Sequence, residues 1–444
     1  MRKTTLSLVT ALAAASALVL TACGGDDKDT SGGSTAAKTG GDAATKTEPV
    51  TITLSGWSLD TTPEFKVLAD AFHADYPNFT VEIKEYDAND YGTLMLADMS
   101  ASTAPDIITV KEVKTLNQWA GGGQLLDVSD IASILPSNVS GIDSYAIDGV
   151  NYATPYRQDS WVLFYNIDLF TQAGVDLPDG SWTWDDYAQA AKEMTIKLAG
   201  PKGTYQHSWQ STVQGFAQSQ TPGADLAGGA DYSYLKPYYK RVLDLQEAGA
   251  QESFGNISTN KLTYQGQFGK QSAAMLPMGS WYVATLISQQ ASGEADPFAW
   301  GIAPIPQYDS STTGLAKVPV TFGDPTGFAI NAGVDSAKLD AAKAFLTFAA
   351  SEKAGSALAE IGILSSISAD AVTTAYFARA GIPTDELSKF AISTHQTKPE
   401  NPQSPDIATI QTALGEAHTA IMSKSAGIDD AVAQATETIK AELG

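Results

Sequence analysis

The feature that most constrains the fold is an alternation of strands and helices between residues 50 and 110. Val50–Ser55 alternates apolar and polar residues as a strand does, and Phe79–Glu85 is a second strand. Between them, Thr62–Tyr76 has apolar residues at helical spacing and a proline near its first turn. A second helix, Tyr91–Ser102, leads to a fully apolar strand, Ile107–Val110. This order predicts an α/β fold with a parallel sheet and helices on its faces.

Candidate ligand-binding residues follow two of these strands. In open parallel sheets, ligands bind at the carboxyl ends of the strands. Trp57 comes directly after the first strand, and Lys111 and Glu112 come directly after the third. Trp57 would offer a flat aromatic face, and Lys111 would offer a cationic donor. We therefore expect Trp57 and Lys111 to take part in a ligand site.

A stretch that ends at a tryptophan predicts a second ligand-binding element. Ser272–Leu276 is a short buried strand that Pro277 closes, and a tight turn at Gly279 follows. Ser280 can then cap a helix, which leaves backbone N–H groups of the first turn free as donors. Trp281 would stand beside those donors, and a sugar needs both hydroxyl partners and an aromatic plane. The alternative is a strand–turn–helix unit with Trp281 packed in the core.

This stretch resembles a known signature. It is similar to the carbohydrate-binding proteins of ABC importers, which form extracellular solute-binding protein family 1, the family of maltose-binding protein. The aromatic residue after the Gly-Ser turn commonly stacks on bound sugar in that family, so the resemblance makes Gly279, Ser280 and Trp281 site candidates. The residues that carry the resemblance are Phe268, Gly269, Lys270, Ala274, Met275, Gly279, Ser280 and Trp281.

The resemblance extends over nearly all of the chain after its leader. Tyr76-Pro77-Asn78 before the second strand and Ala104–Ile107 before the third also match the family. It implies a periplasmic-binding-protein-like fold, with two α/β lobes, a hinge of several crossings and a ligand cleft between the lobes. We expect lobe 1 to comprise residues 49–156 and 325–362, and lobe 2 to comprise residues 157–324 and 363–444.

The first hinge crossing is expected at Tyr156–Ser160, within a segment that resembles the family's passage from lobe 1 to lobe 2. Residues of a crossing line the floor of the cleft, so the resemblance makes Tyr156, Arg157, Gln158 and Asp159 candidates. Their donors and acceptors suit vicinal hydroxyl groups. The alternative is an ion pair between Arg157 and Asp159 that braces the hinge.

Further crossings and a lobe 2 segment complete the predicted site. Thr321–Ile330 resembles the second crossing, where Asp324 or, alternatively, Phe322 would face the cleft, and a third crossing is expected near Ala359–Ser365. The polar and aromatic segment Gly203–Gln220 resembles one that contributes from lobe 2, and it supplies Trp209 and Gln210 as candidates. The alternative for that segment is loop aromatics that cover an apolar edge.

One lobe 2 helix has a clear start signal. Thr183 is a candidate N-cap for a helix over Tyr187–Leu198, with acidic residues in its first turn. Trp184 beside it is expected in the core.

Composition excludes some classes of function. The chain has 444 residues, 27 Lys and Arg against 50 Asp and Glu, and a formal net charge of −23. A nucleic-acid-binding surface needs a basic face that replaces phosphate counterions, so this balance disfavours nucleic acid. It equally disfavours adhesion to anionic lipid, and we attribute the acidity to solubility outside the cell.

The N-terminus predicts export and a lipid anchor. Two basic residues precede the apolar stretch Leu6–Leu20, which is short for a membrane span. Leu20-Thr21-Ala22-Cys23 then resembles a lipobox, in which residues 1–22 are removed and Cys23, the only cysteine, is lipidated, for example with palmitate. The polar residues that follow, to Glu48, predict a flexible tether. We expect the protein at the outer face of the plasma membrane.

Catalytic signatures are missing from the sequence. The four histidines are far apart and form no HExxH motif, and no nucleophile elbow, P-loop or GxGxxG motif occurs. A pair of glycosidase carboxylates is not excluded among 50 acidic residues. The resemblance, however, implies a protein that binds without turnover. We expect no cofactor and no metal site, while assistance of binding by a cation such as Ca²⁺ stays open.

Together these features predict a lipid-anchored, monomeric substrate-binding protein that delivers a sugar to the permease of an ABC importer. Trp57, Trp209 and Trp281 favour an oligosaccharide over a monosaccharide. Two alternatives stay open. One is the same fold with a polyamine, a glycerophosphodiester or a peptide as ligand, and the other is a surface glycosidase.

Overall fold

The computed structural model describes residues 48–61, 63–228 and 231–443. The leader, Cys23 and nearly all of the predicted tether lie outside these residues. Within the described part of the chain, no helix is long and apolar enough to cross a membrane.

Strands and helices alternate over residues 50–110, and runs of successive strands or helices follow later in the chain, with three short 3-10 turns at Val113–Thr115, Ile142–Tyr145 and Ser233–Leu235. The strands are β1 (Val50–Gly56), β2 (Phe79–Glu85), β3 (Ile107–Val110), β4 (Ala146–Ile147), β5 (Val150–Asn151), β6 (Thr154–Gln158), β7 (Trp161–Asn166), β8 (Met275–Gly279), β9 (Trp300–Pro304), β10 (Val320–Phe322), β11 (Pro325–Ile330) and β12 (Gln396–Lys398). The helices are α1 (Glu64–Asp75), α2 (Tyr91–Ser100), α3 (Leu116–Gly121), α4 (Ser129–Ala132), α5 (Ile167–Ala173), α6 (Trp184–Leu198), α7 (Ser211–Gln220), α8 (Lys236–Glu247), α9 (Phe254–Asn260), α10 (Tyr264–Gly269), α11 (Tyr282–Ser292), α12 (Leu339–Ala349), α13 (Glu352–Ala359), α14 (Asp370–Ala378), α15 (Glu386–Ser393), α16 (Ile407–Met422) and α17 (Ile428–Leu443).

The first sheet has the strand order β2-β1-β3-β11-β6. β1 pairs in parallel with β2 and β3, which confirms the predicted parallel core of the sheet. β11 is antiparallel to both β3 and β6, so the returning chain completes the sheet. The strands β2 and β3 have the predicted bounds. Helix α2 ends two residues before its predicted end, and Ser102 has a left-handed backbone, which a helix cannot include.

Two separate hydrophobic cores define the two lobes. Lobe 1 is formed by the first sheet and by α1–α4, α12 and α13, around buried residues such as Phe65, Phe72, Phe328 and Phe345. Lobe 2 surrounds the antiparallel sheet β8-β7-β9, with α5–α11 and α14–α17 packed around it. The structure thus confirms the two-lobed α/β fold, whereas the predicted residue limits of the lobes stay a prediction.

Two lobe 2 elements compare directly with the sequence expectations. Thr183 caps α6 in a reciprocal capping box with Asp186, and Trp184 is buried, as predicted. The prediction that Pro277 ends a strand at Leu276 was wrong, because β8 runs through Pro277 to Gly279. β8 is the edge strand of its sheet, where the missing N–H of a proline is tolerated.

The chain crosses between the sheets at neighbouring points. One crossing lies between β6 and β7, at Asp159 and Ser160, and another lies between β10 and β11, at Gly323 and Asp324. A Cβ atom on Gly323 would lie 2.3 Å from the carbonyl oxygen of Asp159, so the two crossings touch. Beyond α13, the chain approaches the first crossing again, and Ser365 forms a β-bridge with Arg157. These close approaches explain why a glycine occupies position 323.

The contact between the crossings generates a first prediction. Gly323→Ala forces a side chain against the backbone of Asp159, so it should destabilise the protein by about 1–3 kcal/mol, as overpacking does. Denaturation in urea checks this. Gly255→Ala in α9 is the matched control, since its added Cβ meets no atom within 4 Å. Equal effects of the two variants would contradict the tight crossing.

Candidate ligand-binding site

A buried ion network occupies the first crossing. The Arg157 Nε atom donates to Asp159 Oδ2 at 2.5 Å, and Arg157 Nη1 donates to Glu64 Oε2 at 2.5 Å. The exposed fractions are 8% for Arg157, 5% for Asp159 and 1% for Glu64. The Arg157–Asp159 ion pair, which the sequence left as an alternative to a ligand contact, is therefore present. Glu64, at the start of α1, adds a second carboxylate that the sequence reasoning did not include.

In this network, attraction between opposite charges offsets part of the free-energy cost of burying them. Burial raises the pKa of the Glu64 carboxyl, and the Arg157 guanidinium opposes that rise by Coulomb attraction and a hydrogen bond. Each carboxylate accepts one charge-assisted hydrogen bond, from a different nitrogen of the guanidinium. Arg157 consequently directs its hydrogen bonds to groups of the protein itself.

Ser280 joins lobe 2 to this network. Its Oγ atom donates to Asp159 Oδ1 at 2.7 Å, and it accepts from the backbone N–H of Ser160 at 3.2 Å. The backbone N–H of Ser280 in turn donates to the carbonyl of Ser160 at 2.9 Å. The prediction that Ser280 caps the next helix was wrong, because α11 begins at Tyr282 and has no side-chain cap. The buried carboxylate of Asp159 takes the hydroxyl instead.

Trp281 follows this fixed serine. An added Cβ on Gly279 would lie 1.9 Å from the Trp281 indole, so the ring lies directly against that glycine. Trp281 packs edge-on against Trp161, with 5.6 Å between ring centroids, and it is partly exposed. Burial raises the pKa of Tyr264 to about 12, and a hydrogen bond from Trp281 limits the rise. The position of the Trp281 ring therefore depends on the absence of a side chain at Gly279 and on contacts with Trp161 and Tyr264.

Four rings near this point form what we call the aromatic wall, comprising His207, Trp209, Tyr264 and Trp281. His207 meets Trp209 edge-on at 4.5 Å, and Trp209 lies 5.7 Å from Tyr264. Trp209 is 37% exposed, so it can still cover a ligand. Burial lowers the pKa of His207 to about 4, so its imidazole is neutral at neutral pH. The wall offers apolar faces without a charge.

Sequence reasoning missed Tyr264 and His207 as members of this wall. His207 lies in the polar and aromatic segment that supplied Trp209, so its composition was a usable signal. Tyr264 begins α10, 55 positions after Trp209, and only tertiary packing brings the two together.

Lobe 1 holds the other two predicted contacts. Trp57 is only 9% exposed and packs edge-on against Phe65 and Tyr91, at 5.0 and 5.2 Å. Lys111 Nζ lies 5.5 Å from the Trp57 ring centroid and donates to the carbonyl of Ala88. Burial lowers the pKa of Lys111. Both side chains are thus engaged within lobe 1.

The remaining predicted residues bond mainly to other parts of the protein. Tyr156 is fully buried and stacks on Phe328, with 4.1 Å between ring centroids. Gln158 Nε2 donates to the carbonyl of Asp159 at 3.1 Å. Gln210 donates to Gln411 of α16, and Asp324 accepts three hydrogen bonds from residues 400 and 401. The structure brings together Arg157, Asp159, Gly279, Ser280 and Trp281, whereas Gln210 and Asp324 belong to a second network.

An open cavity of about 440 Å³ lies elsewhere in lobe 2. It contains none of the predicted site residues, and it opens near residues 271 and 272, before the start of β8. Trp281 follows the opposite end of that strand. Its lining is Gly200, Pro201, Lys202, Glu252, Asn256, Leu262, Gln267, Gln271 and Ser272. Over the described residues, no group of three His, Cys, Asp or Glu side chains could hold a metal ion.

Known proteins share this architecture. The family model described as bacterial extracellular solute-binding protein matches residues 58–356. The structure of a sugar transporter from Rhizobium etli, in an open conformation, is 31% identical and has a TM-score of 0.74, covering 88% of this chain and 99% of that chain. An ABC substrate-binding protein from Listeria monocytogenes in complex with cycloalternan is 20% identical, with a TM-score of 0.72, and covers 89% and 99% of the two chains. The latter likeness concerns the fold alone.

Two curated relatives match shorter stretches. The arabinooligosaccharide-binding protein of Halalkalibacterium halodurans is 30% identical over 158 residues, which is 35% of each chain. The sn-glycerol-3-phosphate-binding periplasmic protein of Escherichia coli is 30% identical over 161 residues, or 34% of this chain and 36% of that protein. The match thus spans about a third of the length of these curated relatives.

The buried ion network generates a second prediction. Arg157→Met would leave the Glu64 and Asp159 carboxylates unpaired in the interior, so the free energy of unfolding should fall by about 3–5 kcal/mol. The control is Lys66→Met, which breaks the exposed pair with Asp70 and should cost less than about 1 kcal/mol. Urea denaturation of both variants measures the difference. A loss for Arg157→Met no larger than for the control would refute the bracing role.

Proposed function

Because the chain belongs to the bacterial extracellular solute-binding protein family, we propose that it captures a neutral oligosaccharide outside the cell and delivers it to the permease of an ABC importer. Proteins of this family are non-enzymatic components of transport, so the chain is a binding protein and not a glycosidase. The fold and the family are established by the matches above, whereas the sugar, the importer and the site residues belong to the proposal.

The observation that carries the proposal is the aromatic wall next to the ion network. Pyranose rings present C–H faces that pack on aromatic rings, and they present hydroxyls that need fixed donors and acceptors. Trp281 and Trp209 would supply faces, and Asp159 would supply acceptor oxygens. The Asp159 carboxylate has about four lone-pair positions, of which Ser280 and Arg157 use two. The four rings favour a ligand of more than one sugar unit.

The charges near the wall favour a neutral ligand over a phosphorylated one. A phosphate group requires arginine or lysine donors that are free to turn toward it. Arg157 is held by two carboxylates, and Lys111 is engaged with Ala88 and Trp57. The site therefore differs in chemistry from one that would suit the ligand named for the glycerol-3-phosphate-binding relative. The relatives named for a sugar and for an arabinooligosaccharide support the proposal.

Ligand capture would shift the protein toward a closed form. Trp57 and Lys111 belong to lobe 1, and the aromatic wall belongs to lobe 2. A sugar that contacts both lobes binds more tightly when they approach, and that differential affinity favours closure. The closed form would then dock on the permease.

The anchor completes the proposal. Cys23 would carry the lipid, and the polar residues after it would tether a monomeric binding protein to the outer face of the membrane. A tether raises the effective concentration of the protein near a membrane partner. Mass spectrometry of the membrane-extracted protein would test the modification at Cys23, and a free thiol there would exclude it.

Ligand screening tests the function. Soluble protein that begins at Gly24 should show a saturable change in tryptophan fluorescence and a raised melting temperature with one class of oligosaccharide. At about a hundred times the dissociation constant, a ligand adds roughly 2.7 kcal/mol to stability. Glycerol-3-phosphate, spermidine and a peptide mixture should give no response. A response to one of these alone would keep the family and overturn the substrate.

The aromatic wall makes a third prediction, which concerns affinity. Trp281→Ala should weaken binding of the responsive sugar at least about tenfold, because a lost stacking contact costs on the order of 1 kcal/mol beyond the apolar area that it buried. Isothermal titration calorimetry measures this affinity, because the variant lacks a tryptophan that would contribute to a fluorescence signal. Tyr308→Ala, which truncates an exposed aromatic residue of lobe 2, is the control and should leave affinity unchanged. Unchanged affinity in Trp281→Ala would exclude the wall as the site.

A further inference from the structure

A proline-rich segment between β12 and α16 bridges the two lobes. We call residues 399–405 the strap, and its sequence is Pro-Glu-Asn-Pro-Gln-Ser-Pro. Three prolines fix φ at their positions, so the segment loses less conformational freedom when it is ordered than a flexible loop would. The elements on both sides of the strap belong to lobe 2.

The strap reaches lobe 1 by three amide hydrogen bonds. Gln403 Nε2 donates to the carbonyl of Ser144 at 2.5 Å, and Asn117 Nδ2 donates to the carbonyl of Ser404 at 2.8 Å and to Gln403 Oε1 at 3.4 Å. Ser144 lies in a 3-10 turn and Asn117 lies in α3, both of which pack in the lobe 1 core. These contacts link lobe 2 to lobe 1 through a segment that is separate in sequence from the residues of the aromatic wall.

The strap also binds the second crossing. Asp324 Oδ1 accepts from the backbone N–H groups of Glu400 and Asn401, at 2.8 and 3.1 Å, and Asp324 Oδ2 accepts from Asn401 Nδ2 at 2.7 Å. Three donors from two successive residues therefore hold one carboxylate. Since Asp324 directly precedes β11, these bonds tie the strap to the point at which the chain returns to lobe 1.

A short relay connects the strap to the aromatic wall. Gln411 Nε2 of α16 donates to Asn401 Oδ1 at 2.9 Å, and the Oε1 atom of Gln411 accepts from Gln210 Nε2. Gln210 is the immediate neighbour of Trp209. The hydrogen-bonded side chains Gln210, Gln411, Asn401 and Asp324 thus run from the wall to the second crossing without a gap.

We propose that the strap is an interlobe latch, and that Asn401 is the positioning residue through which ligand contact at Trp209 is coupled to the second crossing. The proposal rests on the proposed function for the ligand contact itself. A sugar against Trp209 would order Gln210 and so the relay, which holds the strap against both Asp324 and lobe 1. Coupling of this kind needs a continuous network and an element with two arrangements. The relay is continuous, and the crossing would supply the two arrangements as the lobes open and close.

The charges around the latch make it sensitive to pH. Those that face Glu400 and Asp324 are Glu112 after β3, Lys114 in the next 3-10 turn and Tyr145 beside β4. Lys114 Nζ is paired with Glu112 at 2.8 Å, which leaves the carboxyl of the strap residue Glu400 with little compensation. Burial, then Asp324 and Glu112, raise the pKa of Glu400 to about 8, and burial also raises the pKa of Asp324.

The sign of the pH effect follows from these shifts. A carboxyl whose pKa is raised in the latched state binds its proton more tightly there than in the released state. Its contribution to the latch is therefore complete below the ordinary carboxyl range, and it is lost as the pH rises through about 8 for Glu400. We expect the latch to weaken progressively as the pH rises from the ordinary carboxyl range to about 8, and to change little above that pH.

The fourth prediction concerns the latch without ligand. In the ligand-free protein, Asn401→Ala should increase the radius of gyration measured by small-angle scattering, because one strap contact with the crossing is lost. Gln403→Ala, which removes a contact with lobe 1, should act in the same direction. Asn260→Ala is the matched control, since its amide bonds only to Asn256 within α9. An unchanged radius of gyration in both strap variants would overturn the latch, even if no sugar binds at all.

A double-mutant cycle then tests the coupling with the responsive oligosaccharide. Asn401→Ala and Gln210→Ala should each weaken binding about fivefold, and together they should weaken it by less than the product, since they break one relay. Affinity should fall as the pH rises from about 5 to about 8, and Glu400→Gln should flatten that profile. Additive losses and an unchanged profile in Glu400→Gln would refute the coupling, while sugar binding itself would still support the proposed function.

Discussion

The buried guanidinium of Arg157 is the constraint on which the rest of the structure depends. It lies between a carboxylate from the first helix of lobe 1 and a carboxylate from the first crossing. Because charges in the interior need partners, Glu64 and Asp159 cannot move apart without a large cost. Asp159 in turn holds Ser280, and Ser280 precedes Trp281. The charge of Arg157 thus fixes the first crossing and, through Asp159 and Ser280, the chain next to Trp281 of the aromatic wall.

The features that could be predicted from the sequence are those that depend on residues close together in the chain. The strands β2 and β3 have the expected bounds because β2 alternates apolar and polar residues and β3 is a short run of buried residues. Thr183 caps its helix because the partner Asp186 is three residues away. The pairing of Arg157 with Asp159 could be weighed because the two are neighbours in the chain. Glu64 could not be paired with them in advance, because 93 positions separate it from Arg157. The cap at Ser280 failed for the same reason, since a distant carboxylate competed for the hydroxyl.

The groups around the aromatic wall carry little uncompensated charge, and this determines which ligands the site suits. The protein as a whole carries a net charge of −23, yet the groups near the wall are paired or neutral. Arg157 is compensated, His207 is neutral, and Trp209 and Trp281 keep exposed surface. Such a surface favours ligands that combine apolar faces with uncharged hydroxyls. The acidic groups at the second crossing, Asp324 and the strap residue Glu400, lie in a separate network that affects the relation between the lobes.

The most direct test of this account is a crystal structure of the protein with the sugar that responds in the binding screen. The account predicts a sugar ring in van der Waals contact with the Trp281 indole, a hydroxyl within hydrogen-bond distance of Asp159, and the Arg157 ion network intact. A sugar bound instead in the cavity lined by Lys202 and Gln271, or one that displaces Glu64 from Arg157, would contradict it.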